Sequence, residues 1–230
     1  MEDRYLKNMK MLSEVEIEKL KERKVCVVGC GGLGGYVIEM LGRLGVGSIT
    51  VVDGDVFDET NLNRQLLSDT NAIGKSKAEA AKNRMLLVNP LIKAVPVYER
   101  LTLENGREIL EGHDVIIDAV DNIDTRLLLQ ELASEIGITM IHGAIGGWYG
   151  QVTTIFPGDR TLDWLYARSK SKGIEKDLGN PSFTPALVAS IEVSEAIKFL
   201  IGRGELLRKR ILHIDLFEHE YMVVDISLGN

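Results

Sequence analysis

Three groups of residues have the types and spacing to handle a nucleotide. The first is a G-x-G-x-x-G turn made by Gly29, Gly31 and Gly34, with Gly32 and Gly35 alongside, directly after the apolar run Val25–Val28. Such a turn lets backbone N–H groups approach a phosphate at the start of the next helix. Asp53 follows about 20 residues later, where a carboxylate accepts hydrogen bonds from ribose hydroxyls. The second group is the polar loop GDVFDETNLNRQ, carrying Asp55, Asn61, Asn63, Arg64 and Gln65, and after it the lysines of GKSK. Arg64 can fork onto phosphate oxygens. Lys75 and Lys77 open a helix, where the macrodipole opposes cations, so an anion between them and the helix N-terminus would account for their place. The third group is Asp121-Asn122, just past the run DVIID. A carboxylate there, beside a polyphosphate, would hold Mg²⁺; equally, Asp121 is placed to be the N-cap of the next helix.

The residues alone leave the nucleotide open. A glycine turn with a trailing Asp is the usual pattern for NAD and, by itself, points to a dehydrogenase. A dehydrogenase, however, needs nothing like the polar loop after its ribose carboxylate. A solvated surface loop and an exposed lysine pair are the plain alternatives for that second group.

The elements that must position these residues follow from periodicity. Val25–Val28, Ser48–Val52 and Asp114–Asp118 are short β-branched runs without alternation, as expected of strands buried on both faces. Tyr36, Val37, Met40, Leu41 and Leu44 recur at helical spacing, and Gly45 and Gly47 end that helix. Before it, two short helices are expected within residues 2–21, the second with Ser13 as N-cap and Glu16 completing a capping box; segments so placed usually cover a sheet edge or dock on a partner. Further helices are expected from GKSK to about Val88, over Thr102–Leu110, over Ile123–Ile136 and over Phe183–Ile201. Ile92–Val97 and Thr139–Ile145 read as strands, Gln151–Phe156 as an antiparallel partner, and Arg210–Asp215 with His219–Asp225 as a closing hairpin. Residues 158–181 are polar and lysine-rich, and a connection that long is functional or disordered.

Composition limits the rest. The chain has 230 residues, 45% hydrophobic and 27% charged, with a formal net charge of −7. That charge disfavours a general nucleic-acid or anionic-membrane binder. No apolar run approaches the roughly 20 residues that cross a bilayer, and the charged opening MEDRYLKNMKM is not a secretory signal. The two cysteines, Cys26 and Cys30, form no C-x-x-C pair and the four histidines are scattered, so no zinc site is expected. A cytoplasmic protein is the expectation.

Taken together and in order, VVGCGGLGG, ITVVDGD, NLNRQ, GKSK, AVDN and SIEVSEAIKFL resemble the ThiF/MoeB/HesA family, bacterial relatives of ubiquitin-activating enzymes, over nearly the whole chain. NLNRQ after a βαβ unit decides against NAD. The resemblance implies a Rossmann-like, doubly wound α/β fold with a mostly parallel sheet and antiparallel C-terminal strands. It implies a helical arm over 1–23, an ATP-binding domain over 24–157, a flexible crossover over 158–182, and residues 183–230 completing the same domain. It also implies ATP with Mg²⁺, and adenylation of the C-terminal glycine carboxylate of a small ubiquitin-like sulfur carrier with a Gly-Gly tail, as in thiamine, molybdopterin or cysteine biosynthesis. By this likeness Gly32 touches the phosphates, Asp53 holds the ribose, and Asn61, Arg64 and Lys77 grip the polyphosphate. Asp121 binds Mg²⁺ and Asn122 lines the site.

Three departures qualify the resemblance. The segment RYLKN resembles an arm whose second arginine enters the neighbouring subunit's site in a homodimer; here that residue is Lys7, which keeps the charge and loses the planar fork. The family's zinc-binding C-x-x-C pairs are absent, and no cysteine follows Phe156 to carry a thioester or persulfide. The chemistry is therefore expected to stop at the adenylate. Related branches offer two other substrates, threonylcarbamoyladenosine in tRNA and a peptide C-terminus; the net charge and the SIEVSEAIKFL helix favour the protein carrier. Arg64, Lys77 and Asp121 together argue against a non-catalytic scaffold.

Overall fold

A computed structural model describes residues 2–167 and 178–227. Its strands are β1 (Lys24–Val28), β2 (Ser48–Val52), β3 (Lys93–Val97), β4 (Val115–Asp118), β5 (Thr139–Gly146), β6 (Tyr149–Ile155), β7 (Arg210–Asp215) and β8 (Glu220–Asp225). They form one sheet in the order β3-β2-β1-β4-β5-β6-β7-β8. The first five are parallel, and β5 to β8 pair antiparallel. The doubly wound expectation holds, and residues on both sides of 158–182 contribute to this sheet.

The lack of alternation in β1 has its reason in the two layers around it. Val25 and Val27 face one core with Ile49, Val51, Val115, Ile117 and Ile141, under helices α2 (Gly32–Leu44), α3 (Lys77–Val88) and α7 (Phe183–Ile201). Cys26 and Val28 face the other with Ile116 and Met140, under α4 (Gly106–Leu110), α5 (Ile123–Ile136) and α6 (Thr161–Tyr166). Each such buried aliphatic side chain contributes roughly 1.5–3 kcal/mol. Strand order reverses between β1 and β4, and at such a switch point a crevice opens at the carboxyl ends of the strands.

Several expectations change. The helix expected over Thr102–Leu110 begins only at Gly106, because Asn105 Oδ1 takes the Thr102 N–H at 2.8 Å and closes a turn in place of the first helical residues. The first of the two N-terminal helices is a 3₁₀ helix, Asp3–Asn8. The second, α1 (Glu14–Lys21), carries the Ser13–Glu16 capping box as expected. Tyr5 packs over Gly45 at the end of α2, and its hydroxyl accepts from Asn89 at 2.8 Å at the end of α3. Leu12, Ile17 and Leu20 are fully buried in their own chain, whereas Leu6, Met11 and Val15 are exposed. The crossover expected over 158–182 starts with a packed helix, α6, whose Leu162 is buried beneath α5; its short apolar stretch gave no periodicity to read. Of the rest, residues 168–177 lie outside the described residues, while Gly179 and Asn180 accept through their carbonyls from Gly147 N–H and Asn63 Nδ2.

One feature of α7 could not be anticipated. Glu192 is completely buried, both of its carboxyl oxygens lack a hydrogen-bond partner among the described residues, and its head lies over Gly143 of β5. A Cβ at Gly143 would stand 2.4 Å from Glu192 Cδ. Burial, and secondarily the charge of Asp118, push this carboxyl well above its ordinary range. The native state therefore holds the proton more tightly than the unfolded chain does. The stability this confers is complete at pH below the unfolded value near 4.5 and is lost as pH rises towards the raised native value. Glu192→Gln should thus melt several degrees above the wild type at pH 8, since about 1 kcal/mol moves the midpoint by roughly 2–4 °C in a chain of this size. Thermal denaturation should show the gap closing towards pH 5; a pH-independent gap would contradict this account.

Candidate active site

The crevice at the switch point has a volume of about 930 Å³. Its floor is the glycine turn. Gly29 has φ +99° and lies so near β4 that a Cβ would be 2.5 Å from the Ala119 carbonyl oxygen. At Gly34 a Cβ would fall 1.8 Å from Gly29 O, so the first turn of α2 is pressed directly onto the loop. With no side chains there, the N-terminus of α2 faces the crevice as an anion site.

Ten of the expected residues share this crevice: Gly29, Gly31, Gly32, Asp53, Asn63, Arg64, Gln65, Lys77, Asp121 and Asn122. Arg64 lies across the glycine turn, its Cγ 3.5 Å from the Cβ position of Gly32, and is steadied by Thr60 O at 3.1 Å and Asn63 Oδ1 at 2.9 Å. Lys77, almost wholly buried at the head of α3, keeps its ammonium 3.6 Å from Asp55. That is too long for a hydrogen bond and leaves its donors available. Asp53 accepts from the N–H groups of Cys30 and Asp55, each at 2.8 Å, so its oxygens are aimed by backbone and retain lone pairs. Burial raises its carboxyl above the ordinary range, against those two hydrogen bonds and the charge of Lys77, which lower it. Gln65 Oε1 is buried with no hydrogen-bond partner among the described residues, an acceptor suited to a ligand donor.

Three expected residues are not brought there. Asn61 is buried and spends its amide on the turn it belongs to, accepting from Asp58 N–H and donating to Asp58 Oδ1. Gly34 lies beneath the loop and shapes it without lining the crevice. Lys7 is in the arm, exposed, at the end of the sheet where α2 and α3 finish, opposite its own chain's crevice. The capping role open to Asp121 belongs to Asn122, whose Oδ1 accepts from Thr125 N–H at 2.8 Å. Asp121 is exposed and makes no hydrogen bond or ion pair among the described residues.

A model of the ThiF family matches residues 3–230. The chain belongs to the ThiF family. This ThiF-family chain is 36% identical over 228 residues to the SAMP-activating enzyme E1 of Haloferax volcanii, covering 96% of itself and 84% of that protein. It is 35% identical over 213 residues to the sulfur carrier protein adenylyltransferase of Thermus thermophilus, covering 89% and 79%. Among solved structures, E. coli MccB with ATP superposes with a TM-score of 0.80 over 98% of this chain and 72% of that one, at 21% identity, a likeness of fold.

Sequence reasoning missed Arg126 and Arg100, which also line the crevice. Arg126 is one helical turn past Asn122, so the spacing of Asn122 and Arg126 was the available signal. Arg100 sits just beyond β3, at the same carboxyl edge, and pairs with Asp55 at 2.8 Å. Also missed was a buried cluster of Asp118, His142, Gln151 and Tyr166, drawn from four separate elements and so without any local pattern.

Both cysteines are fully buried. Burial pushes the Cys26 thiol up to about 12 and Cys30 well above its usual value, with Asp53 adding to the latter. In a titration with a chromogenic disulfide at pH 8, the native protein should show no fast thiol and the denatured protein two; one rapid native thiol would contradict this reading.

Proposed function

We propose that this protein is an ATP-dependent adenylyltransferase that activates the C-terminal glycine carboxylate of a small sulfur-carrier protein. The observation that carries the proposal is the meeting of Arg64, Lys77 and Asp121 around a glycine turn at a helix N-terminus, in a chain over 30% identical to proteins named for carrier activation. A carboxylate is already a nucleophile at neutral pH, so the step needs no general base. A carrier carboxylate oxygen forms a bond to the α-phosphorus of ATP, the bond to the bridging oxygen breaks, and pyrophosphate leaves with its electron pair. What the protein must supply is alignment and neutralisation of phosphate charge.

In this reading the backbone around Gly32 cradles phosphate, Asp53 takes the ribose, and Arg64 and Lys77 draw off charge from the polyphosphate. Mg²⁺ fits the donor set: one unpaired carboxylate, Asp121, serves an ion that is usually held by one or two carboxylates together with substrate phosphates. Bound there, Mg²⁺ would neutralise charge as pyrophosphate departs. We also read the working form as a cytoplasmic homodimer in which the exposed Lys7 reaches the other subunit's phosphates. Its position, remote from its own crevice, supports that reading.

The test is carrier-dependent exchange of labelled pyrophosphate into ATP. Arg64→Ala, Lys77→Ala and Asp121→Ala should each reduce exchange by about 10²–10³, the usual loss for one preorganised charge contact to a transition state. Binding of NAD without binding of ATP, in a calorimetric titration, would overturn the proposal.

A further inference from the structure

On the α5 and α6 side of the sheet runs a chain of polar side chains with no part in the roles given above. Asp118 at the end of β4 and His142 of β5 are both fully buried and 2.7 Å apart, Oδ2 to Nδ1. His142 Nε2 lies 3.3 Å from the Tyr166 hydroxyl, at the end of α6. That hydroxyl accepts from Arg126 Nη1 at 3.1 Å and from Gln151 Nε2 at 3.2 Å. Arg126, only 3% exposed, also donates from Nη2 to Val120 O at 2.9 Å.

Arg126 and the Gln151 amide nitrogen can only donate, so Tyr166 accepts from both. Its own O–H is the donor left for His142 Nε2, which Gln151 Nε2 also approaches at 3.4 Å. The other ring nitrogen, Nδ1, faces the Asp118 carboxyl.

Both ends of the chain meet the backbone of the same residue, one at each of its two flanking peptides. Asp118 Oδ1 accepts the Val120 N–H at 3.1 Å, and Arg126 donates to the Val120 carbonyl. Val120 is the residue before Asp121. Since Asp121 makes no hydrogen bond or ion pair among the described residues, its position is set by the backbone that carries it.

We propose that Asp118, His142, Tyr166 and Arg126 form a positioning clamp that holds the Val120 backbone at its N–H and its C=O and thereby aims the Asp121 carboxylate at its metal. This rests on the adenylation reading, in which Asp121 is the metal ligand. Supporting groups behind a ligand orient it, and their loss typically weakens metal binding about 10–100-fold. Tyr166 and His142 touch neither phosphate nor carrier in this account, so their effect must pass through Asp121.

The test uses the whole chain and Mn²⁺ as the probe. Electron paramagnetic resonance measures Mn²⁺ binding to the complex with a non-hydrolysable ATP analogue, alongside pyrophosphate exchange, carrier half-saturation, metal-free binding of the analogue and melting temperature. Tyr166→Phe removes one hydroxyl and keeps the ring, so it should fold as the wild type does. It should weaken Mn²⁺ about tenfold or more, while analogue binding without metal and half-saturation by carrier stay within twofold. Asp118→Asn should weaken Mn²⁺ in the same way, since an amide keeps only one of the two acceptors that serve His142 and the Val120 N–H. Unchanged Mn²⁺ affinity in Tyr166→Phe, or an equal loss of metal, analogue and carrier binding, would overturn the clamp. Wild-type protein without carrier-dependent exchange, or Asp121→Ala with unaltered Mn²⁺ binding, would instead overturn the adenylation reading beneath it.

Discussion

The structure depends on how closely three backbone segments meet at the carboxyl ends of β1 and β4. Gly29, Gly34 and Ala119 approach so nearly that no side chain fits at either glycine. That contact lets α2 begin at the turn itself, with the amide ends of the helix facing the crevice. It also brings the strand that leads into Asp121 alongside the loop that would cradle phosphate. A methyl group at Gly34 would have to displace the Gly29 carbonyl, and with it the floor on which Arg64 lies. The core beneath is ordinary aliphatic packing; the functional demand falls on a few atoms of backbone.

Around that floor Arg100 pairs closely with Asp55, while the two cations assigned to phosphate are held more loosely. Asp53 is held by backbone N–H groups and not by a cation. Lys77 stops short of Asp55, and Arg64 is steadied by neutral acceptors. Cations tied into short ion pairs would have to break them before meeting a phosphate. Their partial freedom, within a rigid frame, is what preorganisation means here.

Much of this was legible in the sequence, for identifiable reasons. The βαβ unit, the polar loop and the DN turn are local: each is a run of adjacent residues whose pattern survives without tertiary context. Ser13 and Glu16 belong to that class, since a capping box is written within four residues. Long-range arrangements were not legible. The Tyr166–His142–Asp118 chain joins α6, β5 and β4, and Glu192 sits unpaired on Gly143 in a helix that otherwise reads as plain core. At Asn61 the sequence does not distinguish an amide offered to phosphate from one engaged in its own turn, as it is here. Asp121 and Asn122 compete for one cap by a single residue of register, which periodicity does not resolve.

The arm has a consequence for how the chain comes to be folded. Lys19 donates to the carbonyl of Ile201, and Arg203 binds Glu16 and the Met11 carbonyl, so each contact joins residues more than 180 positions apart. The arm therefore finds part of its seat only once residues more than 180 positions later are in place. Contacts of such sequence separation are slow to close and leave apolar surface exposed in the meantime. Leu12, Ile17 and Leu20 are that surface. The order in which the chain is joined thus differs from the order in which it is written: its first helices are held in part by its last.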